Sequence, residues 1–382
     1  MTTPARPPEL FPRHFDERLA ERTRRPGPAF LTGPPGAGKT TLLLRVKALL
    51  EGSGWTCIYL DLMAAASSPD RFVTAALDVM PAEAFGGRLP EAVRIRRLAS
   101  SGREHEAAAV DALFALWASL PATGARPVAL LLDEATEIRS LSYFKGLREV
   151  HRPFVEALAR RGAGTLCATS YPSHARRLWP DLDAIEAAPL AAADVAAALD
   201  RAGLAGDPGL LVRATAGWAR YLRILIDALG DRRDPVAAWA EEMAPGGRLD
   251  LACRHTYEAL LLRSRGYGMS KAVLATVADE EGLNLTALVG RLGRTPGAVR
   301  DYLVWLVGVD ALRMVKKKYF FVDAVLRAWV RLHGRGRPPS AVELRQAALA
   351  MTAAPVTGAP PDPAPADDAP AAPRHDRLME ID

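Results

Sequence analysis

Cysteine is scarce in this sequence of 382 residues: Cys57, Cys167 and Cys253 stand far apart and form no C-x-x-C pair, and the seven histidines form no cluster. That excludes a disulfide scaffold and a zinc site of the usual ligand spacing. The three cysteines read instead as small buried hydrophobes in a reducing cytoplasm. No apolar run reaches the ~18–20 residues needed to span a bilayer. The first residues, Met1-Thr2-Thr3-Pro4-Ala5-Arg6, lack the apolar segment of a secretory signal. A cytoplasmic chain with no membrane partner is expected.

What is present supports a sizeable core. Hydrophobic residues make up 49% and charged residues 24%, over a length that allows two or three domains. The net charge of +5 is unevenly spread. Residues 251–337 carry 15 Lys/Arg against 7 Asp/Glu, whereas residues 338–382 carry 3 against 7. A basic module of this kind hints at a nucleic-acid partner.

The most informative residues are Gly33-Pro34-Pro35-Gly36-Ala37-Gly38-Lys39-Thr40. They follow the apolar stretch Ala29-Phe30-Leu31-Thr32 and lead into Leu42-Leu43-Leu44-Arg45-Val46, the strand–loop–helix setting a phosphate-binding loop requires. Glycines let the backbone wrap a polyphosphate with its N–H groups inward, and the helix N-terminus adds partial positive charge. Lys39 is then expected at the β- and γ-phosphates of ATP and the Thr40 hydroxyl on Mg²⁺, with Thr41 completing the loop.

An α/β alternation follows. Strands are expected at Thr56–Asp61, at the continuous apolar run Val128–Leu132, at Gly164–Thr169 and at Ile185–Ala187, with helices at Phe72–Met80, Glu106–Leu120 and Leu141–Arg161. The expected fold is α/β: a doubly wound parallel-sheet P-loop NTPase core with a helical lid, followed by a winged-helix domain. Its divisions are an N-terminal lead-in (1–28), the core (29–188), the lid (189–230), a linker marked by Pro and Gly-Gly (231–249), the winged helix (250–335) and a largely disordered Pro/Ala-rich tail (336–382).

Asp133, at the end of the second buried strand, is placed to hold the magnesium shell, and Glu134 to polarise an attacking water. In a sheet of this wiring the 164–169 strand inserts between the first strand and the Asp133 strand. Thr169 or Ser170 then faces the γ-phosphate, or simply caps a turn. Arg176 and Arg177 are candidates for transition-state charge stabilisation, or else a solvated basic face. Arg220, after Gly217-Trp218-Ala219, is placed to close onto the γ-phosphate; Arg220 and Arg223 also suit a surface position.

Taken together, Gly33–Thr40, Leu130–Glu134, Thr169-Ser170 and Gly217-x-x-Arg220 make the chain resemble P-loop ATPases of the AAA+/STAND type, closest to archaeal-type, origin-recognition and transposition ATPases. The resemblance covers about residues 28–335 and implies switching between ATP and ADP states. The sequence departs from it in lacking a Phe-x-Gly-Arg-Glu box before the loop and a Gly-Asn-Pro form in the lid.

In the C-terminal module, helices are expected at Met269–Glu281, Leu285–Leu292 and Pro296–Val307, the last capped by Thr295. Leu312–Val315 and Tyr319–Val322 then flank a basic tip, Lys316-Lys317-Lys318, as a hairpin, and Asp323 caps a helix to His333. Helix, helix-turn-helix and hairpin make a winged helix. Arg294, Arg300, Lys316, Lys317 and Lys318 are the candidate contacts to duplex DNA. Winged helices also serve regulation and self-association, and Lys-rich tips discourage edge pairing. Three functions remain: a DNA-associated ATPase, a STAND-like signalling switch held closed until a partner protein binds, and an assembly factor without nucleic acid.

Overall fold

The computed structural model describes residues 14–230, 234–264 and 267–353. Their contacts divide into two units, the first reaching Pro208 and including Gly217–Arg223, the second comprising Gly209–Ala216 and the residues from Ile224 onward.

The first unit is built on five parallel strands: β1 (Ala29–Thr32), β2 (Thr56–Asp61), β3 (Val128–Asp133), β4 (Thr165–Thr169) and β5 (Asp183–Glu186). Their order is β2-β3-β4-β1-β5, so β4 does lie between β1 and β3. β1, β3 and β4 are buried along their whole length, which explains their unbroken apolar runs. Edge strand β2 alternates, sending Ile58 and Leu60 into the core and leaving Tyr59 and Asp61 on the other face, half-buried.

One face of the sheet is covered by helices Pro69–Asp78, Leu89–Ala99, Glu106–Ser119 and His151–Arg160. Rings line this core in contact with one another: Phe30 against Trp179 (5.1 Å between centroids), Trp179 against Phe154, Phe154 against Phe114, and Phe114 and Phe72 against Trp117. Helices His14–Arg24 and Lys39–Gly52 pack together, tied by an Asp16–Arg45 ion pair at 2.5 Å whose side chains are mostly withdrawn from water.

Arg161, 5% exposed, donates to the carbonyls of Trp117 (3.0 Å) and Val128 (2.5 Å) and to the Thr165 hydroxyl. It thereby joins the end of helix Glu106–Ser119 to the starts of β3 and β4. Burial lowers its pKa to about 10.

The single helix expected over Leu141–Arg161 is two elements. A 3₁₀ segment runs over Ala135–Tyr143, and an α-helix over His151–Arg160. Gly146, at φ +83° and with room so limited that an added Cβ would meet the Ala107 Cβ at 3.0 Å, marks the break that helical periodicity could not carry.

The second unit contains helix Pro235–Met243 within the stretch expected as a linker. Its Trp239 is fully buried and donates to the Ala214 carbonyl at 3.0 Å. Within the stretch expected as tail lies helix Ala341–Ala353, packed on Pro235–Met243 and burying Leu344 and Ala348. The rest of that tail, from residue 354, lies outside the described residues. The helices expected as one lid are shared between the units: Ala192–Ala202 falls in the first, Pro208–Thr215 almost wholly in the second, and Ala219–Leu229 crosses the boundary.

Next come helices Arg248–Arg263, Tyr267–Asp279, Leu285–Leu292 and Pro296–Gly308, then Ala324–His333, with a three-stranded antiparallel sheet β6 (Leu283–Asn284), β8 (Lys318–Phe321), β7 (Leu312–Val315). Asp323 caps the last of these helices through two backbone N–H bonds. Asp250, fully buried, accepts the Trp329 indole N–H at 2.7 Å and the Gly246 N–H at 2.8 Å, and Arg254 approaches it at 3.1 Å. Burial pushes this carboxyl up, but those donors, with His333 alongside, leave it below the usual carboxylate range.

Candidate nucleotide site

The phosphate loop joins β1 to helix Lys39–Gly52 at the C-terminal end of the sheet. Its shape depends on glycine at defined points. Gly36 and Gly38 lie at φ +89° and +91°, and a Cβ on Gly33 would meet the Ala187 side chain at 3.2 Å. Gly38 in the left-handed conformation is the residue from which the helix starts, so Lys39 and Thr40 occupy its first turn. Pro34, Pro35 and Ala37 complete the loop, with Ala37 buried, and Thr41 follows, half-buried.

Lys39 is 4% exposed, and its ammonium donates to the Gly33 and Pro34 carbonyls at 2.8 and 3.0 Å. Desolvation lowers its pKa to about 8 against the opposing pull of Glu134 and Asp133; Arg220 adds a smaller depression.

Thr40 donates to Asp133 Oδ2 at 2.6 Å, across 93 residues of chain. Asp133, itself 3% exposed, also accepts the Tyr59 hydroxyl on Oδ2 at 3.1 Å and the Glu134 N–H on Oδ1 at 3.0 Å. The Tyr59 phenol is raised, by burial first and by the Asp133 charge second, and stays a donor.

Glu134 adopts φ 47°, ψ 49°, a left-handed backbone uncommon outside glycine. Both its carboxylate oxygens are taken by Ser170, one by the backbone N–H at 2.9 Å and one by the hydroxyl. Burial raises its proton affinity, while Lys39 and the Ser170 bonds lower it. Thr169, fully buried, is engaged elsewhere: its hydroxyl lies 2.9 Å from that of Thr136 and accepts the Tyr171 N–H.

Arg220 stands on the loop. Its N–H donates to the Gly36 carbonyl at 3.0 Å, and a Cβ built on Gly36 would meet its Cβ at 3.1 Å and its Nε at 3.2 Å. Arg176, Arg177 and Arg223 are exposed. Lys39, Thr40, Asp133, Glu134, Ser170 and Arg220 therefore form one constellation.

The donor set fits a magnesium–polyphosphate pair. It offers hard oxygens from Thr40 and Asp133, a buried ammonium and a loop of backbone amides. Among the described residues no three His, Cys, Asp or Glu side chains cluster as a metal cage.

Sequence reading missed Tyr59. Strand alternation puts it on the face of Asp61, and the in-register pairing of β2 with β3 brings that face to Asp133.

In the second unit, Arg294, Arg300, Lys316, Lys317 and Lys318 are all exposed. Arg294 precedes the Thr295 cap of helix Pro296–Gly308, whose exposed face also carries Gly297, Ala298, Asp301 and Trp305. Lys316 and Lys317 form a two-residue turn at φ 49° and 61°, and Lys318 belongs to β8, one residue past the tip.

Residues 22–164 match the family model described as an AAA domain. Among solved structures, the Walker-type ATPase of Pyrococcus abyssi is 15% identical, over 86% of this chain and 99% of that chain, with a TM-score of 0.64. The RuvB Holliday junction branch migration motor of Thermotoga maritima is 14% identical over 82% and 93%, with a TM-score of 0.37. AMPPCP-bound DnaA from Aquifex aeolicus is 14% identical over 76% and 84%, with a TM-score of 0.35. The first of these shares the fold of this chain. No curated protein matches the chain. No helix among the described residues is long and apolar enough to cross a membrane.

Proposed function

From the match of residues 22–164 to a family model described as an AAA domain, we propose that this chain is a Mg²⁺-dependent, ATP-hydrolysing switch that associates with DNA through a C-terminal winged helix. The observation that carries the nucleotide reading is the junction of loop and strand end: Thr40 bonded to Asp133, with the buried Lys39 beside both.

When bound, magnesium supplies charge that offsets the phosphates. The chain's own residues do the rest. The loop amides and Lys39 bind the β- and γ-phosphates, Thr40 and Asp133 hold the cation, and Glu134 orients the attacking water and takes its proton. In the arrangement described, Glu134 is occupied by Ser170. A turnover-competent state therefore requires that bond to loosen. Arg220, already against Gly36, neutralises phosphate charge from the helix side. Arg176, exposed, stabilises transition-state charge in cis or across a subunit boundary.

Lys39→Ala abolishes ATP binding by calorimetry. Glu134→Gln keeps binding and loses turnover, and normal hydrolysis by that variant would remove Glu134 as the base.

The DNA reading rests on the element order of residues 267–333 and on the exposed cations Arg294, Arg300 and Lys316–Lys318. These contacts favour phosphate over base edges. A steep loss of duplex affinity between low and moderate salt tests it. One observation favours a second reading, a STAND-like switch whose winged helix binds protein. The exposed face of helix Pro296–Gly308 carries Trp305 and Asp301 against a single cation, Arg300. Absence of DNA binding at low salt, with normal ATP binding, selects that reading.

A further inference from the structure

We propose that Tyr59 is a positioning residue for the metal-holding carboxylate, fixing Asp133 through its phenolic hydroxyl; this rests on the reading of Asp133 as a magnesium-site residue. Asp133 ends β3, and a carboxylate there rotates freely about its last torsion unless donors hold it. Three hold it here. Glu134 N–H fixes Oδ1, while Thr40 and Tyr59 share Oδ2.

The three differ in what metal binding does to them. The Glu134 N–H belongs to the residue whose side chain must part from Ser170 during turnover. The Thr40 hydroxyl is itself called upon by the cation. Tyr59 takes no part in either event: it stands on a different strand, and its hydroxyl bonds the Asp133 carboxylate.

Its placement follows from the sheet. Tyr59 pairs with Leu131 and Asp61 with Asp133, so the Tyr59 ring spans the diagonal to a residue two further along β3. A shorter side chain at position 59 does not bridge that diagonal, and phenylalanine spans it without a donor. Asp61 makes the restraint necessary: its carboxylate lies opposite Asp133 in the register and repels it. Asp61 is held in turn by capping Met63 N–H at 2.9 Å. With Asp61 fixed and like-charged, an unrestrained Asp133 swings away from it, and Tyr59 opposes that swing.

The test uses the full chain and Tyr59→Phe, which keeps the ring and deletes one oxygen. ATP affinity is measured by calorimetry in EDTA and across a magnesium series, alongside the thermal midpoint. The expected result is unchanged affinity in EDTA and an increment on adding magnesium that is about tenfold smaller than in the parent. An equal magnesium increment in both proteins overturns the inference. Equal weakening in EDTA and magnesium also overturns it, since Tyr59 would then shape the loop and not the carboxylate. If the parent itself gains nothing from magnesium, the underlying reading of Asp133 fails first, and this inference falls with it. Tyr59→Leu, which also removes the ring, is expected to show the same magnesium defect together with a lower thermal midpoint. A midpoint loss without the magnesium defect counts against the proposal.

Discussion

At the loop end of the sheet, Lys39 and Asp133 are nearly withdrawn from solvent, and Glu134 is largely so, each committed to named partners. At the hairpin of the second unit, Lys316, Lys317 and Lys318 stand in water. The two regions carry charge under opposite physical terms. A withdrawn charge keeps its strength at high salt, but its geometry must be right to a few tenths of an ångström, and removing one partner strands the others. Solvated charges act as a sum, are screened within about 8–10 Å at physiological salt, and tolerate exchange. The first arrangement suits recognition of one ligand in one pose, the second attraction to an extended polyanion.

The largest effect expected from that contrast is at Lys39. Lys39→Ala leaves ATP binding below detection in calorimetry at any salt concentration; retention of binding within tenfold would break the comparison. Next is Glu134→Gln, with ATP affinity within a few-fold of the parent and a single-turnover rate lower by about 10²–10⁴. Exchange of Lys316, Lys317 and Lys318 for Glu comes third. It leaves ATP affinity unchanged, and the slope of log affinity for random duplex DNA against log salt becomes shallower by about three. A slope equal to the parent's removes the hairpin from the proposed DNA contacts.

Asp250 gives a smaller effect and sharpens the contrast, being a withdrawn charge in the second unit. Asp250→Asn lowers unfolding stability by about 2 kcal/mol in urea titrations. Because its folded pKa is depressed, its contribution is present above the unfolded carboxylate value of about 3.9 and is lost as pH falls through the folded value. The difference between parent and variant should therefore shrink below about pH 4.

Much of the first unit was legible in the sequence because its signals are local. The loop glycines, the apolar runs of β1, β3 and β4, and the acidic end of β3 each sit within a few residues. The interleaved strand order followed from the wiring. What was not legible was mostly the pairing of residues distant in sequence. The Ser170 bonds to Glu134, the Thr136–Thr169 contact and the reach of Tyr59 to Asp133 span 33 to 74 residues. Two helices escape the sequence signals for a different reason: the residues at their ends also mark chain breaks. Pro235 occupies the first turn of its helix, where proline is well suited, and Gly247 caps the next. Ser340 and Glu343 cap helix Ala341–Ala353 reciprocally: the Ser340 N–H bonds the Glu343 carboxylate at 2.8 Å, and the Glu343 N–H bonds the Ser340 hydroxyl at 3.3 Å. That four-residue signature was present in the sequence and obscured by the Pro/Ala-rich composition that follows.

The Lys316–Lys317 turn has a consequence for how this surface is maintained. Two positive φ angles in a two-residue hairpin loop are the signature of a type I′ turn, which Asn–Gly adopts with little strain and lysine does not. Each lysine held there costs on the order of 1–2 kcal/mol of folding free energy. Replacing the pair with Asn–Gly relaxes the backbone and strips two cations at once. The thermal midpoint should then rise while attraction to polyanions falls, the two moving in opposite directions through one exchange.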